Sequence, residues 1–273
     1  MSDHYAVFGN PVAHSKSPQI HAAFAAQTSQ DMAYDKQLVA RDDFALAASA
    51  FFAGGGKGLN ITVPFKLDAF EFAASLSKRA RQAGAVNTLL QTDAGEIKGD
   101  NTDGVGMVRD ISTNLGWSLR RKRVLVIGAG GAVRGVLGPL LAEQPALLVV
   151  VNRTAEKARQ LATAFGQQGT IRGGGFNQLG EQPFDILING TSASLSGELP
   201  PVPASSVNRH SCCYDMMYGA GDTAFNAWAR SQGCAQLADG LGMLVEQAAE
   251  SFYLWRGLRP ETAAVIASLR SAL

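Results

Sequence analysis

Arg123-Val124-Leu125-Val126-Ile127-Gly128-Ala129-Gly130-Gly131-Ala132 is the stretch on which the reading of the fold turns. Four unbroken apolar residues follow Arg123 with no polar alternation, as expected of a strand covered on both faces in a parallel sheet. The glycine-rich turn then opens a helix that runs to about Ala142. Leu147–Val151 reads as the next strand, and Thr154 as the cap of a helix reaching Phe165. Asp185–Asn189, Ser211–Asp215 and Gln236–Ala238 supply later strands. Strands alternating with helices in this way predict an α/β architecture with a doubly wound parallel sheet.

Working outward toward the N-terminus, the first hundred residues read as a smaller α/β unit. A strand at Tyr5–Phe8 enters a polar loop, after which Ser17 is expected as a helix N-cap and Pro18 as the first helical residue. A strand near Tyr34–Val39 precedes a helix from Asp42 to Phe52 that ends in Gly54-Gly55-Gly56. Leu59-Asn60-Ile61-Thr62-Val63 alternates as a strand should and is stopped by Pro64. A helical stretch over 67–76, a strand at Ala85–Leu90, a turn at Asp93-Ala94-Gly95 and a short strand at Glu96–Lys98 follow. Toward the C-terminus, Leu241, Leu244, Val245, Ala248, Phe252 and Trp255 fall at helical spacing.

The chain has 273 residues, enough for two domains of ordinary size, roughly 100–200 residues each. A net charge of +1 offers no electrostatic reason to expect nucleic acid or an anionic membrane as partner. The longest apolar run, Pro145 to Val151, is far short of the roughly 20 residues of a membrane span. Tyr5–Phe8 runs straight into Gly9-Asn10-Pro11, so no secretory leader is expected. Cys212, Cys213 and Cys234 are odd in number and lack metal-ligand spacing, which suits reduced thiols in a cytoplasmic protein. His14 and His21 find no third ligand at a fitting distance in sequence, so no metal is expected.

A glycine turn between a buried strand and a helix presents backbone N–H groups to a pyrophosphate. Gly128 and Gly130 fill the first two positions of the G-x-G-x-x-G pattern, but Val133 stands where glycine or alanine is usual. By itself the turn also suits a strand–helix connection with no ligand. The end of the second strand is more telling. Enzymes that use NAD carry an acidic residue there, roughly 20 positions beyond the glycines, for the ribose 2′-hydroxyl. Here the sequence is Asn152-Arg153-Thr154, with Lys157 a turn later. No carboxylate repels a 2′-phosphate, and a guanidinium with a hydroxyl can hold one, so NADP is expected over NAD.

Three segments of the first unit collect polar groups that a purely structural domain does not need together. His14-Ser15-Lys16-Ser17-Pro18 puts two hydroxyls at a helix start, which suits a carboxylate, although Ser17 alone reads equally as a cap. Asn60-Ile61-Thr62-Val63-Pro64-Phe65-Lys66 sets Asn60 and Thr62 on one face of a strand, with Lys66 just past the proline. Asn87-Thr88 and Gly99-Asp100-Asn101-Thr102-Asp103-Gly104 complete the set. A lysine and an aspartate beside a ketone can move the proton that accompanies hydride transfer. Taken singly, Lys66 reads as a surface lysine and Asp103 as a helix cap.

Together with Gly84-Ala85-Val86, Asn189-Gly190-Thr191-Ser192 and Asp239-Gly240-Leu241-Gly242-Met243-Leu244-Val245, these segments resemble the shikimate dehydrogenase family, in its order and over nearly the whole chain. The resemblance implies an oxidoreductase of aromatic amino acid biosynthesis that reduces 3-dehydroshikimate to shikimate with NADPH. It implies a substrate domain made of residues 1–103 and 241–273, and a Rossmann-like NADP-binding domain over residues 104–240. The C-terminal helices then return to the substrate domain, and the active cleft lies between the two. By the same resemblance Lys66 and Asp103 are the catalytic pair and Ser15 and Ser17 hold the substrate carboxylate. Asn60, Thr62, Asn87, Tyr218 and Gln247 surround the rest of the substrate. Gly128, Ala129, Gly130, Gly131, Ala132, Asn152, Arg153, Thr154 and Lys157 hold the cofactor, with Met216 and Gly240 near the nicotinamide. Lys78 departs from the family, which often has an acid there.

The expected partner is thus a small molecule, with no nucleic acid or membrane, acting on a monomer or homodimer. A quinate/shikimate dehydrogenase using NAD, an aminoshikimate-type relative and a nucleotide-sensing module without catalysis remain as rivals. A reductase of the glutamyl-tRNA type would need a nucleophilic cysteine near the N-terminus, and the first cysteine here is Cys212.

Overall fold

Strand β1 (Asp3–Gly9) is buried continuously from Tyr5 to Gly9, which marks it as an interior strand. It pairs in parallel with β2 (Met32–Leu38) and β3 (Gly56–Ile61), connected through helices α1 (Ser17–Thr28) and α2 (Phe44–Ala53). Beyond β3 come α3 (Lys66–Phe72), β4 (Ser75–Leu76), α4 (Lys78–Ala83), β5 (Thr88–Gln91) and β6 (Ile97–Asp100). The six strands form a mixed sheet in the order β2-β1-β3-β5-β6-β4, with β5 antiparallel to both neighbours. Phe8, Phe44, Phe52, Leu59, Ile61 and Phe65 fill the core on one side of it. The computed structural model that gives this arrangement describes residues 2–191 and 198–273.

Local details differ from the sequence reading. Lys16, not Ser17, occupies the N-cap of α1, because Ser15 Oγ accepts from the Ser17 N–H at 3.3 Å and closes the turn one residue earlier. The helix expected over 67–76 ends at Phe72. Ala74 and Ser77 instead donate their backbone N–H groups to Ile97 and Gly99 at 2.9 Å, so pairing with β6 displaces the last helical turn. Helix α4 is absent from the sequence reading, although Ser77 caps it through Ala80 N at 3.1 Å and Gly84 ends it in the left-handed conformation.

Helix α5 (Asp103–Arg109) leads into a second sheet. Its strands are β7 (Arg123–Ile127), β8 (Leu147–Val151), β9 (Ile171–Gly174), β10 (Ile186–Asn189), β11 (Cys212–Asp215) and β12 (Gln236–Asp239). Helices α6 (Gly131–Ala142), α7 (Ala155–Phe165) and α8 (Ala224–Ser231) connect some of them. All pair in parallel, in the order β12-β11-β10-β7-β8-β9. The direction of winding reverses between β7 and β10, as in the doubly wound nucleotide-binding fold. The three cysteines are buried and unbridged.

Helices α9 (Leu241–Arg256) and α10 (Ala263–Ser271) end the chain. By backbone proximity the molecule divides into Met1–Gly106 with Val245–Ser268, and Met107–Leu244 with Leu269–Leu273. Among the described residues no helix is long and apolar enough to cross a membrane.

Within the first unit, α9 is held by polar contacts as well as by packing. Trp255 Nε1 donates to the Leu89 carbonyl at 3.0 Å, and Arg256 pairs with Asp3. Arg79 grips Asp100 with two nitrogens, at 2.6 and 3.1 Å, and reaches Glu250 on α9 at 2.9 Å. Glu250 also pairs with Arg259, but the buried Asp100 has Arg79 as its only cation among the described residues. An Arg79→Met variant is therefore expected to lose about 3–5 kcal/mol of stability. The urea midpoint measures this, and a midpoint equal to that of the parent chain would show that the carboxylates do not need Arg79.

Candidate functional site

Lys66 opens α3 and Asp103 opens α5, and the fold brings their side chains together, with Nζ 2.6 Å from Oδ2. The other carboxylate oxygen of Asp103 accepts from Asn87 Nδ2 at 2.8 Å. Asn87 Nδ2 also reaches Thr102 Oγ1 at 2.9 Å and Gln247 Oε1 at 3.4 Å. Lys66 is about one-third exposed and Asp103 less so, while Asn87 and Thr102 are buried. The cluster is thus a lysine at the water-facing side of a buried amide–carboxylate arrangement. Gln247 can approach because residue 106 is glycine: a Cβ there would lie 2.5 Å from the Gln247 backbone nitrogen.

Asn60 sits one layer deeper. Its Nδ2 faces the Asn87 carbonyl at 3.3 Å, which can only accept, so Oδ1 is the end that meets Tyr34 OH at 2.7 Å and His21 Nε2 at 3.2 Å. His21 must therefore donate through Nε2, leaving Nδ1 as a buried acceptor with no partner among the described residues. Its ring stacks on Tyr34, centroids 4.2 Å apart. Burial lowers the imidazole pKa to about 3, against a smaller opposing effect of the bond to Asn60. Tyr34 also bonds Ser17, which links the start of α1 to Asn60. Ser15 joins only its own turn, and the half-buried Thr62 hydroxyl has no hydrogen-bond partner among the described residues. Among the described residues no three His, Cys, Asp or Glu side chains group as a metal site would need.

In the second unit the candidate residues share one edge of the sheet. Gly128 follows β7, Asn152 follows β8, Met216 follows β11 and Gly240 follows β12. Parallel strands put all these C-terminal ends on the same side, where doubly wound sheets bind their ligands. Gly128 has φ of 109°, which favours glycine, and at Gly130 and Gly131 a Cβ would meet nothing within 4 Å. Open space over exposed amides at the start of α6 fits a pyrophosphate. Ala129 is half-buried and Ala132 exposed beside them. Arg153, Thr154 and Lys157 are exposed, and Thr154 occupies the N-cap of α7 without a side-chain cap bond, its hydroxyl unspent among the described residues. These groups fit a phosphorylated ribose. Tyr218 lies in this unit, half-buried, its pKa raised by burial and then by Asp239. Lys78 is exposed at the start of α4.

The structure also explains Val133. Gly190, after β10, leaves the room that Val133 fills: a Cβ at 190 would lie 2.5 Å from Val133 Cγ2 and 3.0 Å from Met216 Sδ. Asn189 orients the same loop, accepting from Thr191 N and Oγ1 at 3.1 and 2.8 Å and donating to Asp215 at 3.1 Å. Ser192, from the same motif, lies outside the described residues. Thr102, Ser251, Asn189 and Gly190 have no role of their own in the sequence reading. Their signal is present only as membership of the quoted motifs or, for Ser251, as a polar residue one turn beyond Gln247.

The shikimate dehydrogenase substrate binding domain matches residues 7–89, shikimate / quinate 5-dehydrogenase matches 110–196, and the shikimate 5′-dehydrogenase C-terminal domain matches 240–270. The shikimate dehydrogenase (NADP(+)) of Cellvibrio japonicus is 61% identical over 273 residues, 100% of this chain and 99% of that protein. The crystal structure of an Ael1 enzyme from Pseudomonas putida is 49% identical over 98% of each chain, with a TM-score of 0.94. Shikimate 5-dehydrogenase from Thermus thermophilus, solved with NADP(H) and shikimate, is 30% identical. It covers 99% of this chain and 100% of its own, with a TM-score of 0.87.

The buried imidazole generates a pH dependence. Unfolded, His21 takes up a proton below its ordinary value of 6.5, whereas folded it does so only near 3. Between those values the unfolded state binds more protons, so stability falls as the pH drops. A His21→Leu variant is expected to lose less stability than the parent chain between about pH 6.5 and 4. Urea midpoints across that range test it, and parallel pH dependences would show that His21 does not stay neutral.

Proposed function

The chain belongs to the shikimate dehydrogenase family, and from this we propose how its own residues share the NADP-dependent interconversion of 3-dehydroshikimate and shikimate. It is an oxidoreductase acting on a CH–OH group, within the shikimate pathway. Bound NADPH supplies the hydride. The chain must hold both molecules, exclude water and move one proton.

The observation that carries the assignment is the contact of Lys66 Nζ with Asp103 Oδ2 at 2.6 Å, at the water-facing side of an otherwise buried cluster. As the ketone is reduced its oxygen gains charge, and Lys66 Nζ delivers the proton to it. In the oxidative direction the same nitrogen removes the hydroxyl proton. Asp103 holds the lysine in place. Asn87 and Gln247, whose amides converge on Asp103 and Thr102, are suited to the ring hydroxyls, with Thr62 offering an uncommitted hydroxyl. Ser15 and Ser17, at the start of α1, suit the carboxylate. Asn60 supports this layer from behind rather than facing solvent.

On the second unit, the turn at Gly128 with the exposed Gly130 and Gly131 at the start of α6 suits the pyrophosphate. Arg153 and Thr154 suit the 2′-phosphate, with Lys157 adding charge and Asn152 holding the loop by donating to the Thr154 carbonyl at 3.1 Å. Met216 and Gly240 touch each other: a Cβ at 240 would collide with the Met216 carbonyl, so glycine is needed for the loops after β11 and β12 to lie together. The reading takes the enzyme to be cytoplasmic, working as a monomer or homodimer on a small molecule.

Absorbance of NADPH, followed with shikimate and NADP⁺, is expected to rise strongly, with quinate or NAD⁺ giving much weaker traces. Lys66→Ala is expected to lower kcat by about 10²–10⁴-fold in a folded protein. Full activity in that variant would remove Lys66 from the proton transfer. Arg153→Ala is expected to raise KM for NADP⁺ by about ten- to a hundredfold with little effect on NAD⁺. An equal effect on both nucleotides would show that Arg153 does not read the 2′-phosphate.

A further inference from the structure

The Asn87 amide meets Asp103 in one sense only, and its orientation follows from a group that cannot act otherwise. The backbone N–H of Thr102 can only donate, and it lies 2.8 Å from Asn87 Oδ1. That end of the amide is the carbonyl, so the N–H end points to Asp103 Oδ1. A second donor reaches the same carbonyl: Thr88 Oγ1, at 2.9 Å.

Thr88 is fully buried, and so is Ser251 on α9, with their hydroxyls 2.8 Å apart. Because Thr88 spends its single proton on Asn87, Ser251 Oγ is the donor to Thr88, and the Gln247 carbonyl, one turn earlier on α9, lies beside it at 3.0 Å. The two lone pairs of Ser251 Oγ are left for Thr102 Oγ1 at 3.2 Å and Asn60 Nδ2 at 3.0 Å. Asn60 Nδ2 also reaches Thr88 Oγ1 at 3.3 Å. A threonine placed only to fill a strand would need no hydroxyl there, since valine has the same shape. The partners of this hydroxyl are instead side chains that converge on the amide facing Asp103.

We infer that Thr88 and Ser251 are positioning residues of the reaction: their buried hydroxyls hold the Asn87 amide with its N–H toward Asp103, and so keep the Lys66–Asp103 pair aligned for proton transfer. The inference rests on reading Lys66 and Asp103 as the proton-transfer pair. Without the Thr88 hydroxyl, Asn87 Oδ1 loses one of its donors and the amide is freer to turn. Turned, its carbonyl faces the Asp103 carboxylate, which then moves away and takes Lys66 with it. The step that suffers is the proton transfer, while nucleotide binding on the second unit is untouched.

The test uses the full chain as parent, Lys66→Ala, Thr88→Val, Thr88→Ser and Ser251→Ala, oxidising shikimate with NADP⁺ in H₂O and in D₂O. Ordinary shikimate and shikimate deuterated at C3 are compared in each. In Thr88→Val, kcat is expected to fall about tenfold, with KM for NADP⁺ within about twofold of the parent. The solvent isotope effect on kcat should grow and the C3-deuterium effect shrink, because the proton step has become the slow one. Thr88→Ser, which keeps the hydroxyl, should return to within about twofold of the parent. Should Thr88→Val fail to fold, Ser251→Ala decides: it removes the anchor behind Thr88 and should show the same isotope pattern with a smaller fall in kcat. A fall with unchanged isotope effects, or one that serine does not rescue, overturns the inference, as does parent-like behaviour in the deciding variant. An active Lys66→Ala overturns both the inference and the assignment beneath it. An inactive Lys66→Ala beside a parent-like Thr88→Val overturns the positioning role alone.

Discussion

The backbone N–H of Thr102 and the side-chain carbonyl of Asn87, 2.8 Å apart and both buried, tie the start of β5 to the turn that follows β6. Around that bond residue 87 commits every polar group it has. Its N–H donates to the Asp100 carbonyl at 3.0 Å, and its own carbonyl accepts from Ile61 N at 2.8 Å. Its amide nitrogen goes to Thr102, Asp103 and Gln247. An unpaired polar group at such depth is costly, so each of these bonds constrains the next. The strands β3, β5 and β6 and the helix α9 are held in register by the same residue that meets the carboxylate of the candidate site.

The turn itself is anchored from the other side by charge. Asp100 accepts from Asn101 N at 2.7 Å while Arg79 holds its carboxylate, and Asn101 reaches back to the Ala85 carbonyl at 3.1 Å and to Asp103 N at 3.2 Å. Asp103 thus begins its helix from a turn with little freedom. This differs from the second unit, whose candidate site is built mainly from backbone. There, six parallel strands deliver their C-terminal ends to one edge, and glycines let the loops approach each other and leave amides open. One unit achieves precision through buried side-chain hydrogen bonds, the other through strand geometry. On the proposed reading, proton transfer falls to the first, where a side chain must keep one orientation, and phosphate binding to the second, where amides and an exposed guanidinium suffice.

Much of this was legible in the chain alone. Val124–Ile127 with its glycine turn is a local pattern, and it specified a parallel strand, a turn and a helix start because burial on both faces and a tight phosphate-binding turn each leave a mark within a few residues. The lack of an acid near residue 152, with Arg153 and Thr154 in its place, spoke for NADP because charge complementarity to a 2′-phosphate depends on residue type more than on exact position. The motif segments likewise named the family. What the sequence could not determine is which buried groups meet. Asn60 and Ser251 stand 191 residues apart, Arg79 and Glu250 171, and Lys66 and Asp103 37. Periodicity assigns a side chain to a face of its own element, whereas these bonds depend on how strands and α9 stack. The end of α3 and the cap of α1 moved for the same reason, since a ladder to β6 and a hydroxyl two residues upstream competed with the local signal. Only the tertiary structure could decide that Val133 is accommodated, because the room for it is left by a glycine 57 positions later, after β10.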